Sequence, residues 1–153
     1  MAVQDAISML KADHKKVKAL LEALEKTTER GAKKREKLLG QIEKELRVHT
    51  NLEETIFYPA FRDAVKKKED REMYFEALEE HHVVKLVLPE LKSTDPTSEP
   101  FAAKAKVLKE LVTHHAKEEE REMFPEARKV LDPTELQELG VRMQAKKKEL
   151  LAR

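Results

Sequence analysis

His49-Thr50-Asn51-Leu52-Glu53-Glu54 runs on to Pro59, and His115-Ala116-Lys117-Glu118-Glu119-Glu120 runs on to Pro125. Both stretches are a His-x-x-x-Glu-Glu followed at the same distance by a proline. Each has a partner upstream. Asp13-His14 and Glu80-His81 place an acid before a histidine, and apolar residues follow both histidines at +3, +6, +7 and +10. His14 lies 35 positions before His49, and His81 lies 34 before His115. Two helix-pair units with the same polar residues at the same depth imply a bundle with a pseudo-two-fold axis.

On either side of these stretches, apolar residues recur at helical spacing along most of the chain. The first helix is expected from about Val3 to Glu29, with Ile7, Leu10, His14, Val17, Leu21 and Leu24 on one face and Gly31 as its C-terminal cap. The second starts near Ala32 and carries Leu38, Ile42, Leu46, His49, Leu52, Glu53, Ile56 and Phe57 inward. Pro59 should end or kink it, with another turn or two over Ala60–Lys68. The third begins near Glu69, with Phe75, Leu78, His81, Val84 and Leu88 in line. The turn-rich Lys92–Pro100 is the longest loop. A fourth helix aligns Val107, Leu108, Leu111, Val112, His115, Glu119 and Met123. Asp132-Pro133-Thr134-Glu135 is a capping signal for a fifth bearing Leu136, Leu139 and Met143. The expectation is an all-α, antiparallel up-down-up-down four-helix bundle over about residues 3–130 with an additional short C-terminal helix over about 133–152, all one domain, 1–153.

Composition agrees. Of 153 residues, 40% are charged and 40% hydrophobic, with only three Gly, which suits long amphipathic helices. The absence of cysteine excludes disulfides, thiolate zinc, iron–sulfur clusters and a cysteine nucleophile. Thirty-one basic residues against thirty acidic give a net charge of +1, which argues against nucleic acid or anionic lipid as a partner. The basic clusters Lys33-Lys34-Arg35, Lys66-Lys67-Lys68 and Lys146-Lys147-Lys148 read as solvated surface. The most apolar stretch, Val83–Leu88, is far too short for a membrane span, and the N-terminus shows no signal-peptide pattern. A cytoplasmic location is expected, as a monomer or weak homo-oligomer.

Residues four apart on a helix differ by about 40° and project together. His49 with Glu53, and His115 with Glu119, therefore point inward beside His14 and His81. Unpaired buried carboxylates are costly. A dinuclear metal centre satisfies all six groups: nitrogens on each metal, carboxylates bridging. Imidazole with carboxylate suits iron, manganese or zinc. Taken singly, such a histidine is more often a hydrogen-bonded core residue, and such a pair a surface contact; the doubling favours metal. His82 and His114 fall off the apolar stripes and read as boundary residues or as outer partners of the ligands. Glu79-x-x-His82 is a single copy of the ferritin-type spacing, which needs two.

The six-residue order resembles the hemerythrin-like (HHE cation-binding) family, from about Asp5 to Arg128. That resemblance implies an oxo- or hydroxo-bridged diiron centre, with His14 and His49 on one iron, His81 and His115 on the other, and Glu53 and Glu119 bridging. Two Fe ions are the expected cofactor, ahead of Mn or Zn. Oxygen-carrying members are similar but have a further histidine where Lys85 stands here, and an Asp one residue beyond Glu119. Fewer nitrogen ligands leave positions open for a small ligand such as O2, H2O2 or NO. Lys85, and its counterpart Lys18, either reach the open face or extend to solvent. A centre reacting with peroxide or O2 in a catalase-like, detoxifying oxidoreductase is one expectation. Non-catalytic O2, NO or iron binding, sensing or storage is the alternative. A metal-free structural bundle and an oxidase of an organic substrate stand behind these. Glu54, Glu118, Glu120 and Glu122 read as surface acids, with a role as partners of the ligands left open for Glu54 and Glu120, which flank the bridging positions; Tyr58 reads as core packing, with a place beside the site as the alternative.

Overall fold

The computed structural model describes residues 4–153, so the expected helix start at Val3 lies outside the described residues. Among the described residues there are seven α-helices: α1 (Ala6–Glu25), α2 (Ala32–Leu52), α3 (Tyr58–Ala64), α4 (Lys68–Lys92), α5 (Glu99–Glu118), α6 (Phe124–Val130) and α7 (Pro133–Ala152). A π-helical turn at Glu53–Phe57 joins α2 to α3, and another at Glu119–Met123 joins α5 to α6. The seven segments therefore form five rods. Four make the expected bundle: α1 packs on α2 and α5, and α4 on α5 and α2.

The π turns replace the break expected at the prolines. Pro59 and Pro125 cannot donate to the carbonyl four residues back. Instead Tyr58 N–H bonds Glu53 O and Phe124 N–H bonds Glu119 O, five residues apart, so the helix widens and continues. Both wide turns begin at the acid of a His-x-x-x-Glu.

Several expected details are corrected. The first rod ends at Glu25, where the Thr27 hydroxyl caps the Leu24 carbonyl at 2.6 Å. Gly31 has φ −97° and stands at the N-cap of α2. On α4 the buried stripe is Tyr74, Ala77, His81 and Leu91, in register with His81, and Phe75 is 59% exposed. Val107 likewise faces outward, while Phe101, Ala105, Leu108 and Val112 face inward. Arg35 is buried, not solvated: it donates to Thr27 and the Pro96 carbonyl and lies 4.8 Å from the Phe101 ring centroid. The C-terminal helix is not short. It has 20 residues, opens with the complete Asp132–Glu135 capping box, and buries Leu136, Leu139, Met143 and Leu150 against the bundle.

The core divides in two. One apolar cluster gathers Ile7, Leu10, Leu52, Phe57, Phe61, Phe124 and the inner face of α7. The other gathers Val17, Leu21, Ile42, Leu46, Leu91, Phe101 and Leu108. Sequence order places His14 between Leu10 and Val17, His49 between Leu46 and Leu52, and His115 between Val112 and Met123. A polar layer thus lies between two apolar plugs.

Candidate metal centre

All six predicted ligands are buried in that layer, Glu53 completely. His14, His49, Glu53 and Glu119 present donor atoms within 4.8 Å of one another, as do Glu53, His81 and His115. Glu53 belongs to both groups. Its Oε1 lies 3.2 Å from His49 Nε2 and 3.0 Å from His81 Nε2. Glu119 Oε1 lies 3.1 Å from His14 Nε2 and 3.3 Å from His115 Nε2. Each carboxylate therefore reaches a histidine of either half.

The rings are held by a second set of acids. The Nδ1–H of His14 donates to Glu120 at 2.8 Å, that of His49 to Asp13 at 2.9 Å, that of His81 to Glu54 at 2.7 Å and that of His115 to Glu80 at 2.6 Å. A carboxylate only accepts, so each Nδ1 carries the hydrogen. All four Nε2 atoms then turn inward, as the ring nitrogens that a metal would take in place of a proton. Of the two roles the sequence leaves open for Glu54 and Glu120, surface acid or partner of a ligand-position histidine, the contacts to His81 and His14 show the second. Asp13 and Glu80 were not assigned from the sequence, although both stand immediately before a ligand-position histidine.

Electrostatics follow from this crowding. Burial pushes His49 down, but Glu53 and Asp13 outweigh it and raise it to about 10. Burial likewise opposes the charge of His115, and Glu119, Glu53 and Glu80 hold it well above the usual range. Glu53 is held well below its ordinary value: burial raises it, and the charge of His49 with hydrogen bonds from the surrounding groups overcomes that. Asp13, Glu54 and Glu80 are also lowered against burial, by His49, by Lys85 with His81, and by His115.

The donor set fits a metal pair. His49 Nε2 and Glu53 Oε2 are buried without a hydrogen-bond partner among the described residues. A ring nitrogen and a carboxylate oxygen left without partners in a bundle interior are costly unless a cation takes them.

Tyr58 is not mere packing. Its hydroxyl donates to Glu119 Oε2 at 2.8 Å and lies 3.2 Å from both His81 and His115 Nε2. Burial first, then Glu119 and Glu53, hold its proton on well above the ordinary phenol range. The repeat places Phe124 opposite, stacked on His14 at 5.8 Å as Tyr58 stacks on His81 at 5.2 Å. One half of the centre thus has a hydroxyl where the other has a bare ring. Lys85 Nζ binds both Glu54 oxygens at 2.8–2.9 Å and touches this outer acid, away from the Nε2 atoms. His82 is exposed, and His114 pairs with Glu118 at 2.8 Å on the surface.

Comparison with known proteins agrees with this geometry. The family described as "Hemerythrin HHE cation binding domain" matches residues 5–127. A solved hemerythrin HHE cation-binding domain-containing protein from Mycobacterium kansasii superposes with a TM-score of 0.83 at 27% identity, over 96% of this chain and 87% of that one. A curated relative, a DNA nickase of Nostoc sp., is 28% identical over 153 residues. The chain spans 41% of that relative's length.

Proposed function

The chain belongs to the hemerythrin HHE cation-binding domain family, and from that premise we propose that it holds two iron ions that react with peroxide or O2. His14 and His49 would hold one ion, His81 and His115 the other, and Glu53 and Glu119 would be shared between the two. The observation that carries this is the convergence of four inward Nε2 atoms on two buried carboxylates. When bound, two adjacent irons supply a two-electron redox couple with open coordination positions.

The residues around the centre do the rest. Asp13, Glu54, Glu80 and Glu120 fix the ring orientations through Nδ1. Phe57 and Phe124, both buried, close the α7 end against water. Tyr58 keeps a proton on its hydroxyl between Glu119 and the His81–His115 pair. Peroxide disproportionation suits this enclosed site: one H2O2 gives up two electrons and two protons, the other accepts them, and O2 and two waters leave. No outside reductant is needed. A small ligand such as O2, H2O2 or NO is the partner assigned.

Metal content by mass spectrometry, followed by O2 release from added H2O2, tests this. About two irons per chain with sustained O2 release is the expected result. Two irons with a long-lived O2 or NO adduct and no turnover would establish the binding module instead. Little metal, or loosely held zinc alone, would sink the diiron assignment.

A further inference from the structure

The internal duplication gives the protein two equivalent grooves, and they have diverged. Between α2 and α4 a groove of about 390 Å³ is lined by Leu46, Arg47, Asn51, Thr55, Val84 and Lys85, among others. Between α1 and α5 a groove of about 620 Å³ uses the matching repeat positions on α5 and at Val17 and Lys18, and runs further along α1, with Lys11, Lys15, Lys18, Thr113, Lys117 and Arg121 on its walls. Lys117 and Arg121 occupy the positions of Asn51 and Thr55. Lys11 and Lys15 occupy those of Leu78 and His82. Only Lys18 keeps its counterpart's charge, as Lys85. Lys85 is neutralised by Glu54 at 2.8 Å. Among the described residues none of the five cations of the α1–α5 groove has an ion-pair partner, and Glu120, the one acid lining it, is engaged by His14.

That arrangement is uncompensated. Lys11 with Lys15, Lys15 with Lys18, and Lys117 with Arg121 are like charges at helical neighbour spacing, which destabilises a helix. The same scaffold tolerates Leu, His, Asn and Thr at the equivalent positions, so the fold does not require these charges. The groove floor is apolar, from Val17, Val112 and Ala116, and the Thr113 hydroxyl on its wall is buried without a partner. A volume of 620 Å³ lies within the range of ligand pockets, roughly 300–1,000 Å³.

We propose that the α1–α5 groove binds a small organic phosphate of nucleotide size. The two cationic rows hold its phosphates, and its apolar body lies on Val17, Val112 and Ala116. Five cations against one engaged acid call for several negative charges in a short span, which a phosphate chain carries and a single carboxylate does not. The site goes beyond the diiron assignment and does not depend on which metal fills the centre.

Isothermal titration of the iron-loaded protein with adenosine triphosphate, at low and at moderate salt, tests this. Binding that weakens with salt is expected. The double variant Lys15→Ala/Lys117→Ala should bind about tenfold more weakly or worse, whereas Lys66→Ala/Lys68→Ala, exposed and remote, should stay within about twofold. Absent binding, or equal loss in both variants, would overturn the proposal. Inorganic triphosphate binding as tightly as the nucleotide would remove the organic body from it. A short oligothymidylate binding about tenfold tighter than the nucleotide would make nucleic acid the ligand and overturn the small-molecule assignment.

Discussion

Glu80, the residue immediately before His81 on α4, takes the Nδ1 hydrogen of His115 on α5 at 2.6 Å. Asp13, immediately before His14 on α1, does the same for His49 on α2 at 2.9 Å. Each ligand histidine is therefore oriented by an acid from the rod beside it, and neighbouring rods are tied together at the depth of the centre. Glu80→Gln keeps the shape and an accepting oxygen but removes the charge. Iron affinity should fall about tenfold, and Glu80→Ala should approach a hundredfold loss, measured by competition with a chelator. Unchanged affinity in both variants would show that Glu80 does not support the ligand.

Tyr58→Phe removes the one hydroxyl inside the centre and leaves Glu119 Oε2 without its donor. With no change in ring packing on His81, unfolding in urea should cost about 1–2 kcal/mol less in the metal-free protein. Two irons should still bind, since the six ligand atoms are untouched. Peroxide turnover should drop while iron stoichiometry holds. A variant with full turnover would remove Tyr58 from any part in the reaction.

The sequence exposed the six residues that cluster here because a carboxylate on an apolar face, repeated at matching spacing, has few other uses. Glu54 and Glu120 were visible as neighbours of Glu53 and Glu119. The partner of Asp13 was not, because adjacent residues on a helix diverge by about 100° and Asp13 faces α2 while His14 faces the interior. Which histidine it serves depends on how the rods pack. Tyr58 was hidden for a different reason. Five residues after Glu53, α-helical spacing turns it away from that acid, and only the π turn brings its hydroxyl to 3.3 Å from Glu53 Oε1. Pro59 signals a disturbance there but not its form. Phe75 misled because hydrophobicity alone favoured it over Tyr74, whose position is in phase with His81.

Asp5 caps α1 through the Ser8 amide at 2.7 Å and pairs with Arg128 at 3.3 Å. Burial pushes its carboxyl up, but Ser8 and Arg128 outweigh that and hold it below the ordinary value. A lowered folded-state value means the contribution is present above the unfolded value, about 3.9, and is lost as pH falls through the folded one. Asp5→Ala should lose about 1 kcal/mol at pH 7. Asp5→Asn retains the cap and should lose less than about 1 kcal/mol, since the Arg128 pair is solvent-screened. Urea midpoints followed from pH 7 down to pH 3 should show wild type and Asp5→Asn converging at the acid end. Parallel curves would show that the carboxylate charge adds nothing.

Two helical glycines should respond to alanine with opposite signs. Gly140 faces the chain entering α1, and a Cβ there would collide with the Gln4 carbonyl and sit 3.1–3.2 Å from the Asp5 and Ala6 backbone. These are main-chain atoms, so neither side can yield without shifting α7 off α1. Gly140→Ala should destabilise by about 1–3 kcal/mol. Gly40 lies exposed within α2, and a Cβ there meets nothing within 4 Å. Gly40→Ala should stabilise by about 0.5–1 kcal/mol through reduced freedom of the unfolded chain. Urea unfolding of the two variants side by side measures both. A neutral Gly140→Ala would mean that α7 does not press on the start of α1, and the closed end assigned to the bundle would fail with it.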